Sequence, residues 1–544
     1  MNARKINLSG DVVYASSDES VLAVSEDGLL IGLSAGKAII SASCGEKKSN
    51  ITIEVELGTP ETSYTYYELD HTKARRNSLK AEGKIKILVV PVHIDGFEAN
   101  RTASNIAKIK DAFMGKETAY ESVTSFYKKS SYGKLDLQFD VLDDWYDSGL
   151  TLEEIYARRN GDDCGTSWLA EDVVSYLRRS KDTSLQDYDG DKDGYLDSLW
   201  MVYDAPNRQN ADYPSTNPSI DPTLAWAFVT TSYLNSTGSL SFPVPKVYGW
   251  ASFDFINDSG EDKVDAHTMI HETGHMFGLN DYYSYGNSFK TPLGCVDMMD
   301  NNIGDHNPFS KYALGWVEPK VVETETTIEL SSFTETGDCL LIPSYNWNGT
   351  AFDEYFMVEF VTPTGLNAND YSAPYSGNNL QGYSERGVRI LHVDSRLARA
   401  GRGEVLWVDD EMLNYDGVMV FSTPISNTEE IGYTFPYDLQ KQEIPMRQVS
   451  LMQADFDSTK TNVLSDSRAY YKGLRSGSLD ADDALFHEGD TFYLGQGSPY
   501  NALMPSASAR LDKYAANADP HYLFDYKITV EKIDEAKALI NIKK

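Results

Sequence analysis

One segment of the sequence combines the residue types and the spacing of a catalytic metal site. It reads HETGHMFGLND and runs from His271 to Asp281. Residues four apart lie on one face of an α-helix, so His271 and His275 can direct two imidazoles at a single ion. Glu272 lies one position along, where its carboxylate can reach a water at the ion without becoming a ligand. The chemistry of such a set is metal-assisted hydrolysis with the carboxylate as general base.

The third ligand is expected from the residues that follow this helix. Gly278 lets the chain leave the helix in a left-handed conformation, after which Asp281 can swing back as an oxygen ligand. Three protein ligands with one open position are typical of a catalytic zinc. A chance H-E-x-x-H in this chain is on the order of one in a hundred, and requiring Gly278 and Asp281 lowers that to on the order of one in ten thousand. We therefore predict a zinc site whose ligands are His271, His275 and Asp281, with Glu272 as its general base.

Three further histidines require an interpretation. His267 lies one turn before His271 on the same face; it can be an alternative ligand, but orienting a ligand or lining the cleft is favoured. His306 lies downstream in a loop and is expected either to line the cleft or to be exposed. His93 falls within a predicted strand and is interpreted as a core or edge residue.

A second group of ligand-type residues is the run DYDGDKDGYLD, from Asp187 to Asp197. Its alternating carboxylates resemble the first ligands of a calcium loop, with Gly194 at the sharp turn and a backbone carbonyl as the next ligand. Trp200 stands where an EF-hand has its bidentate Glu, so the loop is not a complete EF-hand. The alternative is a solvated acidic turn. The predicted calcium ligands are Asp189, Asp191, Asp193, Tyr195 (through its carbonyl) and Asp197, with Asp187 as a further candidate.

Composition and charge exclude several classes of partner. The chain has 544 residues, which at roughly 100–200 residues per domain predicts about three or four domains. Its 48 Lys and Arg against 82 Asp and Glu give a net charge of −34, which argues against nucleic acid and anionic membrane surfaces as partners. No apolar run approaches the ~18 residues of a membrane span. The four cysteines form no C-x-x-C pair, and buried free thiols are favoured over disulfides.

The elements that must position these residues follow from the hydrophobic pattern. Residues 1–56 alternate short apolar stretches with turn signals and predict a partial β-sandwich, followed by a polar linker at 57–84. Residues 85–317 open on the buried-strand run KIKILVVPVHIDGF, continue with a helical stretch from about 102 to 129, and hold both candidate metal sites. Residues 318–544 become β-rich, with runs such as TTIEL, CLLIP and YFMVEFV. The prediction is a multidomain chain with an α+β central domain between two β-rich parts.

The sequence resembles two known families. HETGHMFGLNDYY followed by GCVDMMDNNIGDHNPFSKYALGW is similar to the immune inhibitor A family of secreted bacterial zinc metallopeptidases. The runs KILVVPVHIDGF, SVTSFYKKSSYGKLDLQFDVLDDWY, DGDKDGYLDSLWMVYDA, YFMVEF and RGVRILHVDSRL follow in that family's order, over about residues 84–395. The run SSDESVLAVSEDGLLIGLSAGKAIISA resembles the bacterial immunoglobulin-like group-two domain without its first strand.

The resemblance implies a metzincin-like zincin fold for the catalytic domain, with a mixed sheet and an active-site helix. It implies an N-terminal Ig-like β-sandwich and a C-terminal β-rich, sandwich-like region on either side. It also implies a methionine turn beneath the zinc, for which Met299 is the better match and Met298 the second. Asp300 follows that methionine where some metzincins have a tyrosine that assists the transition state, so no such donor can be carried over.

The expected function is hydrolysis of peptide bonds in proteins by a secreted zinc endopeptidase with one catalytic zinc and at least one structural calcium. Two alternatives stay open: a surface adhesion protein with a vestigial zinc site, and a zinc hydrolase of non-peptide amides. We expect protein or peptide substrates, no nucleic acid, no membrane insertion, and contact of the β domains with cell wall or host surfaces. The opening MNARKINLSG lacks the apolar stretch of a signal peptide, so either the protein is cytosolic or its targeting segment has been removed. The Ig-like module, the acidic surface and a calcium loop suited to millimolar calcium favour an extracellular location.

Overall fold

The computed structural model of the chain describes residues 12–19, 21–24, 28, 30–32, 36–45, 47–55, 65–71, 78–116, 118–161, 164–179, 184–213, 222–234, 236–257, 264–283, 291–300, 302–344, 347–373, 375, 381–395, 397–401, 404–407, 418–420, 448–456, 481–504 and 525–544. Within these residues the protein is multidomain, with mixed α/β sheets and β-rich regions. No helix in the described ranges is long and apolar enough to cross a membrane. All four cysteines are free thiols, three of them buried.

The N-terminal part contains short strands, as the turn signals predict. They are β1 (Val13–Ser16), β2 (Leu22–Val24), β3 (Leu30–Gly32), β4 (Gly36–Cys44) and β5 (Lys47–Val55). Strands β1, β4 and β5 pair antiparallel in that order, and β2 pairs with β3. Leu22, Ala38 and Ile40 form a small buried core between them. The identity of this module as an Ig-like domain stays a prediction.

A six-stranded mixed sheet forms the centre of the described structure. It consists of β6 (Gly83–His93), β7 (Leu135–Val141), β8 (Tyr146–Asp147), β9 (Leu199–Tyr203), β10 (Phe228–Thr231) and β11 (Val247–Ser252). The order is β10-β11-β9-β6-β7, with β8 also paired to β6. All pairs are parallel except β10, which runs antiparallel to β11. The continuous apolar run that predicts a buried strand is therefore confirmed as β6, in the middle of the sheet.

Helices accompany this sheet. They are α1 (Tyr66–His71), α2 (Ala103–Met114), α3 (Val123–Ser130), α4 (Leu152–Tyr156), α5 (Thr166–Arg179), α6 (His267–Met276) and α7 (Pro308–Ala313). The helical stretch predicted over 102–129 is wrong as one helix, because it divides into α2 and α3. A new start is specified at Ser122, whose side chain accepts from the Ser125 N–H in a capping box. The first turn of α2 is capped by Thr102, whose side chain accepts from the Asn105 N–H.

Beyond residue 317 the chain is β-rich, as predicted. The strands are β12 (Lys320–Val321), β13 (Thr326–Ser331), β14 (Cys339–Pro343), β15 (Glu354–Val361), β16 (Gly387–Asp394), β17 (Leu397–Gly401), β18 (Glu404–Trp407), β19 (Val418–Val420), β20 (Val449–Leu451), β21 (Thr491–Phe492), β22 (Lys527–Ile533) and β23 (Lys537–Lys543). They form sheets ordered β12-β14-β15-β16-β20, β13-β23-β22-β21 and β18-β17-β19. The short helices α8 (Phe333–Thr336) and α9 (Ala368–Ser372) lie among them.

Packing continues across the predicted domain boundary between residues 317 and 318. One buried core contains Ile87 and Met299 from the central part together with Leu341 and Met357 from the β-rich part. The boundary itself stays a prediction. What the shared core establishes is that the β-rich part supports the side of the central domain on which Met299 lies.

A buried ion pair strengthens this support. Arg389 on β16 donates from Nε to Glu359 Oε1 on β15 over 2.6 Å, and both side chains are almost fully buried. Arg389 Nη1 also donates to the carbonyl of Val296 over 3.0 Å. The guanidinium therefore connects the β-rich part directly to the segment that leads into Met298 and Met299, which is the bracing role expected of a supporting domain.

Candidate metal centre

Helix α6 carries both histidines of the predicted site on a buried face. His271 and Glu272 are 6% and 7% exposed, and His275 is half-buried. The four-residue spacing brings the two imidazole rings to a centroid distance of 5.0 Å. Helical periodicity predicts this short distance, because residues one turn apart lie on one face of the helix.

The chain leaves α6 by the predicted left-handed route. Gly278 has φ +93°, and its N–H donates to the His275 carbonyl over 3.0 Å. A Cβ at this position would lie 3.0 Å from Tyr66 Cβ, so both the backbone angle and the close approach favour glycine. The turn directs the following residues back toward the histidines.

Asp281 meets both histidines at the end of this turn. Its Oδ1 lies 2.8 Å from His271 Nε2 and 3.2 Å from His275 Nε2. The ligand atoms of the three residues all fall within 4.8 Å of one another. The structure therefore brings together the three residues that the spacing selects as metal ligands.

The second nitrogen of each histidine is held by a backbone carbonyl. His271 Nδ1 donates to the Met298 carbonyl over 2.8 Å, and His275 Nδ1 donates to the Leu279 carbonyl over 2.7 Å. In the neutral rings this leaves the lone pairs on Nε2, which is the nitrogen nearest Asp281 in both cases. Two oriented imidazoles and one carboxylate match the donor set of a zinc site, so the residues fit the ion.

The electrostatics of the centre favour a cation. Burial lowers the pKa of His275, but attraction to Asp281 outweighs burial and raises that pKa to about 9. Burial raises the pKa of Asp281, yet His275 and His271 hold it well below its usual range. Without a metal, the carboxylate attracts protons onto the imidazoles. A divalent ion replaces those protons, so metal binding weakens as the pH falls.

Glu272 is a buried carboxylate with an unsatisfied oxygen. Its Oε2 has no hydrogen-bond partner among the described residues. Burial is the main reason that the pKa of Glu272 lies above its usual value. A buried carboxylate oxygen without a partner is costly and requires an explanation, and a water at the adjacent metal position supplies one.

An open cleft runs past these residues. It has a volume of about 490 Å³ and is lined by Glu272, His275, Asp281 and Tyr283 on one side and by β10 on the other. β10 is the edge of the sheet, so the backbone groups that face away from β11 are not used by a strand within the described residues. Neither β10 nor Tyr283 was selected by the sequence reasoning. The β-branched run FVTT was the available signal for an edge strand, and Tyr283 follows Asp281 too closely to carry a separate signal.

Met298 and Met299 lie in a turn that packs against α6, and its identity as a methionine turn stays a prediction. A Cβ on Gly274 would lie 2.5 Å from Met299 Sδ and 3.1 Å from its Cε, so Met299 packs directly against the helix backbone. The carbonyl of Met298 holds His271. The two methionines therefore have separate positions: the Met299 side chain supports the helix, while the Met298 backbone orients a ligand.

Asp297 organises this turn and was missed by the sequence reasoning. It is fully buried, and its Oδ1 accepts from the Met299 N–H over 2.8 Å. Its Oδ2 accepts from the Asn307 backbone N–H and from Asn307 Nδ2, at 2.7 and 2.9 Å. Asp297 is one of two aspartates in the run VDMMDNN, and nothing in that run distinguishes a buried aspartate from a solvated one.

The other three histidines considered in the sequence analysis do not join the centre. The His267 ring packs against Tyr375, tilted by 41° with 4.3 Å between ring centroids, and its Nε2 lies 2.9 Å from the Asn302 carbonyl. Burial lowers its pKa to about 3, so it stays neutral beside the predicted ligands. The expectation that His306 lines the cleft or is exposed is wrong. It is 1% exposed and packs between Phe126 and other aromatic rings behind α6. His93 is buried at the end of β6, as predicted.

The acidic loop lies directly before β9, and it brings three of its predicted ligands together. Carboxylate oxygens of Asp189, Asp191 and Asp197 lie within 4.8 Å of one another. Asp193 is not in this group; its Oδ1 accepts from the Tyr195 N–H over 2.8 Å, an interaction within the loop. Asp187 is exposed on the turn that precedes the loop and is likewise outside the group.

The backbone of this loop has the predicted turn. Gly194 has φ +89°, and its N–H donates to Asp189 Oδ2 over 3.1 Å. Burial, together with the charges of Asp191 and Asp189, raises the pKa of Asp197 to about 7. The three carboxylates lie close together, and one of them resists ionisation. A bound cation would offset their mutual repulsion and so stabilise the loop.

Comparisons with known proteins do not assign the chain to a family. No protein-family model matches it, and no curated protein matches it in sequence. Among solved structures, it is similar to a bacterial Ig-like domain containing GH10 xylanase from termite gut, with 10% identity, a TM-score of 0.13, and coverage of 40% of this chain and 51% of that chain. The chain thus spans about half the length of that structure. At this TM-score the similarity carries no argument about the fold or the function.

Proposed function

We propose that the protein is a secreted zinc-dependent endopeptidase of the immune inhibitor A type, with a metzincin-like catalytic domain. The observation that carries the proposal is the convergence of His271, His275 and Asp281 beside Glu272, whose buried Oε2 has no hydrogen-bond partner among the described residues. Glu272 and two of the three ligands line a cleft together with β10, whose outer edge pairs with no other strand in the part of the chain that the structure describes. Ligands, base and substrate groove therefore lie in one place.

The three ligands would hold the ion through His271 Nε2, His275 Nε2 and the Asp281 carboxylate. When bound, zinc supplies Lewis acidity, which makes a water at the open position more acidic and polarises the scissile carbonyl. The chain's own contribution is orientation. The carbonyls of Met298 and Leu279 hold the two imidazoles in one tautomer, so no reorganisation of the rings is needed when the ion is in place.

Glu272 performs the proton transfers in this proposal. Its carboxylate takes a proton from the attacking water and passes it to the amine that leaves. Burial raises the pKa of Glu272, which brings the group closer to neutral pH, where a general base and acid is most effective. The low exposure of the carboxylate also keeps bulk water from competing for the proton.

The edge strand favours peptide substrates over non-peptide amides. β10 can pair its free edge with an extended peptide, and main-chain hydrogen bonds of that kind require a polypeptide backbone. A small amide would leave this edge unused. The adhesion alternative is less favoured, because a vestigial site has no physical need for a buried, unsatisfied glutamate.

We expect an assay with a fluorogenic peptide to show hydrolysis that a zinc chelator abolishes and that added zinc restores. A parallel panel of casein and short acyl amides separates a protease from an amidase, since only a protease depends on the edge strand. Full activity in the presence of a zinc chelator would contradict the proposal. Activity on acyl amides without cleavage of casein would favour the amidase alternative.

The acidic loop is proposed to bind calcium for stability, not for chemistry. Asp197 has a pKa raised to about 7, so the folded protein holds this proton more tightly than the unfolded chain does. Stability contributed in this way is therefore lost as the pH rises through about 7, unless a cation replaces the proton. Removing calcium while zinc is kept should lower the thermal unfolding midpoint more at pH 8 than at pH 6.

Two variants test which aspartates of this loop bind calcium. Asp197→Asn should flatten the pH dependence of the calcium-free protein and reduce the gain in midpoint on adding millimolar calcium. Asp187→Asn is the matched control, since Asp187 is exposed and outside the cluster. Equal loss of the calcium response in both variants would show that Asp187 is a ligand and that the geometry of the cluster is not what selects the ion.

A further inference from the structure

The carboxyl ends of two neighbouring strands bring together a histidine and two aspartates away from the predicted centre. β6 and β8 are parallel, and His93 pairs directly with Asp147 in their register. Asp95 follows His93 by two residues and lies in the turn after β6. A ring nitrogen of His93 and a carboxylate oxygen from each aspartate all lie within 4.8 Å of one another.

The orientation of His93 is determined by a buried acid. His93 Nδ1 lies 2.5 Å from Asp204 Oδ2, and Asp204 Oδ1 accepts from the Ile94 N–H over 2.9 Å. Both His93 and Asp204 are almost fully buried, at 2% and 1% exposed. A carboxylate that binds one imidazole nitrogen and thereby presents the other is the arrangement commonly found behind metal-binding histidines.

The contact with Asp204 also determines which ring nitrogen carries the proton. The Asp204 carboxylate accepts from His93 Nδ1. With the proton held on Nδ1 by Asp204, Nε2 has a lone pair to offer. A nine-tenths buried imidazole beside two carboxylates is a donor set that suits a divalent cation.

We propose that His93, Asp95 and Asp147 form a second divalent metal site, which binds Zn²⁺. One imidazole nitrogen with two carboxylate oxygens is a ligand set that zinc accepts, with water in the remaining position. Calcium is less suited, because it requires six to eight oxygen ligands and gains little from an imidazole. The ion would tie the turn after β6 to the end of β8, so its role is to cross-link two surface segments of the central domain.

Arg101 competes with the ion for one ligand. Its Nη1 donates to Asp147 Oδ2 over 2.7 Å, and both side chains are substantially exposed. The guanidinium therefore occupies the place at this carboxylate that a metal ion would take. This contact has a testable consequence, because removing the arginine should free the oxygen for zinc.

The test is a zinc titration of the full-length Glu272→Gln protein, which does not digest itself, in saturating calcium so that the acidic loop is occupied. We expect two equivalents of zinc to bind. Adding Asp147→Asn or Asp95→Asn should remove one equivalent, while adding Asp144→Asn, an exposed acid on the same segment, should remove none. Adding Arg101→Gln should retain both equivalents and fill the second at a lower zinc concentration.

The readout is the difference between variants, so it does not depend on the proposed peptidase function. If the centre at His271 bound no zinc, the parent would take up one equivalent and the Asp147→Asn protein none. Circular dichroism of each variant confirms that it is folded; Asp95 and Asp147 are solvent-accessible, which makes these amide substitutions mild. Equal zinc uptake by Asp95→Asn, Asp147→Asn and Asp144→Asn would overturn the proposal.

Discussion

Glu272→Gln is expected to lower kcat/KM for peptide hydrolysis by about 10²–10⁴-fold, the range that a positioned general base contributes. The amide has nearly the shape of the carboxylate but cannot take a proton from water. Glu272 is not within the group of ligand atoms formed by His271, His275 and Asp281. Zinc content should therefore stay at the parent level, and the loss should lie in kcat rather than in metal binding.

The measurement is steady-state hydrolysis of a fluorogenic peptide, with zinc determined by elemental analysis of the same sample. Glu153→Gln is a matched control, because Glu153 is an exposed glutamate in the first turn of α4. It should hydrolyse the peptide at the parent rate. A Glu272→Gln protein that retains zinc and cleaves at the parent rate would show that the proton is carried by another group.

Asp281→Asn is expected to weaken zinc binding by at least about 100-fold, the upper end of the effect of removing a group that only orients a ligand. Asp281 is the one anion in the ligand group and contacts both imidazoles. The amide keeps the size of the side chain but loses the charge that offsets the dication. Peptidase activity should be lost with the metal and should return in part at high zinc concentration.

Competition with a fluorescent zinc chelator measures this affinity. Asp144→Asn serves again as the control, since it removes one carboxylate charge at an exposed position. The outcome that would contradict the assignment is a parent-like zinc affinity in Asp281→Asn. Glu272→Gln and Asp281→Asn should therefore separate chemistry from metal binding: the first keeps zinc and loses turnover, the second loses both.

The zinc-free form of Asp281→Asn should also lose a pH-dependent contribution to stability. In the parent, Asp281 raises the pKa of His275 to about 9, above the ordinary value of 6.5. The stability linked to this proton is complete below about pH 6.5 and is lost as the pH rises through about 9. Without the aspartate this decline should be smaller, which thermal unfolding across that range can detect.

The local features of the site could be predicted from the sequence because they depend on short-range geometry. His271 and His275 share a face through helical periodicity, and Gly278 is the residue type that its left-handed φ requires. The turn at Gly194 follows from the same rule. A few neighbouring residues determine such features, so their types and spacing are enough to predict the local structure.

Residue type was not sufficient to predict the position of two side chains, because contacts in the folded chain decided it. His306 is polar and lies in a loop, yet aromatic side chains around Phe126 enclose it. Asp193 belongs to the alternating acidic pattern, but its carboxylate accepts the Tyr195 N–H and is outside the cluster of three. For His306 the deciding contacts come from residues distant in sequence, whereas for Asp193 the contact lies within the loop itself.

By itself, the sequence determined the ligand spacing on α6, the acidic loop, and the division into α+β and β-rich parts. Only the tertiary structure decided that β10 lies at the edge of the described sheet beside the cleft, that Asp297 holds the turn at Met298 and Met299, and that His93 meets Asp147. The physical reason is range. Periodicity and turn chemistry act within a few residues, whereas strand order and register depend on the burial of many distant side chains at once.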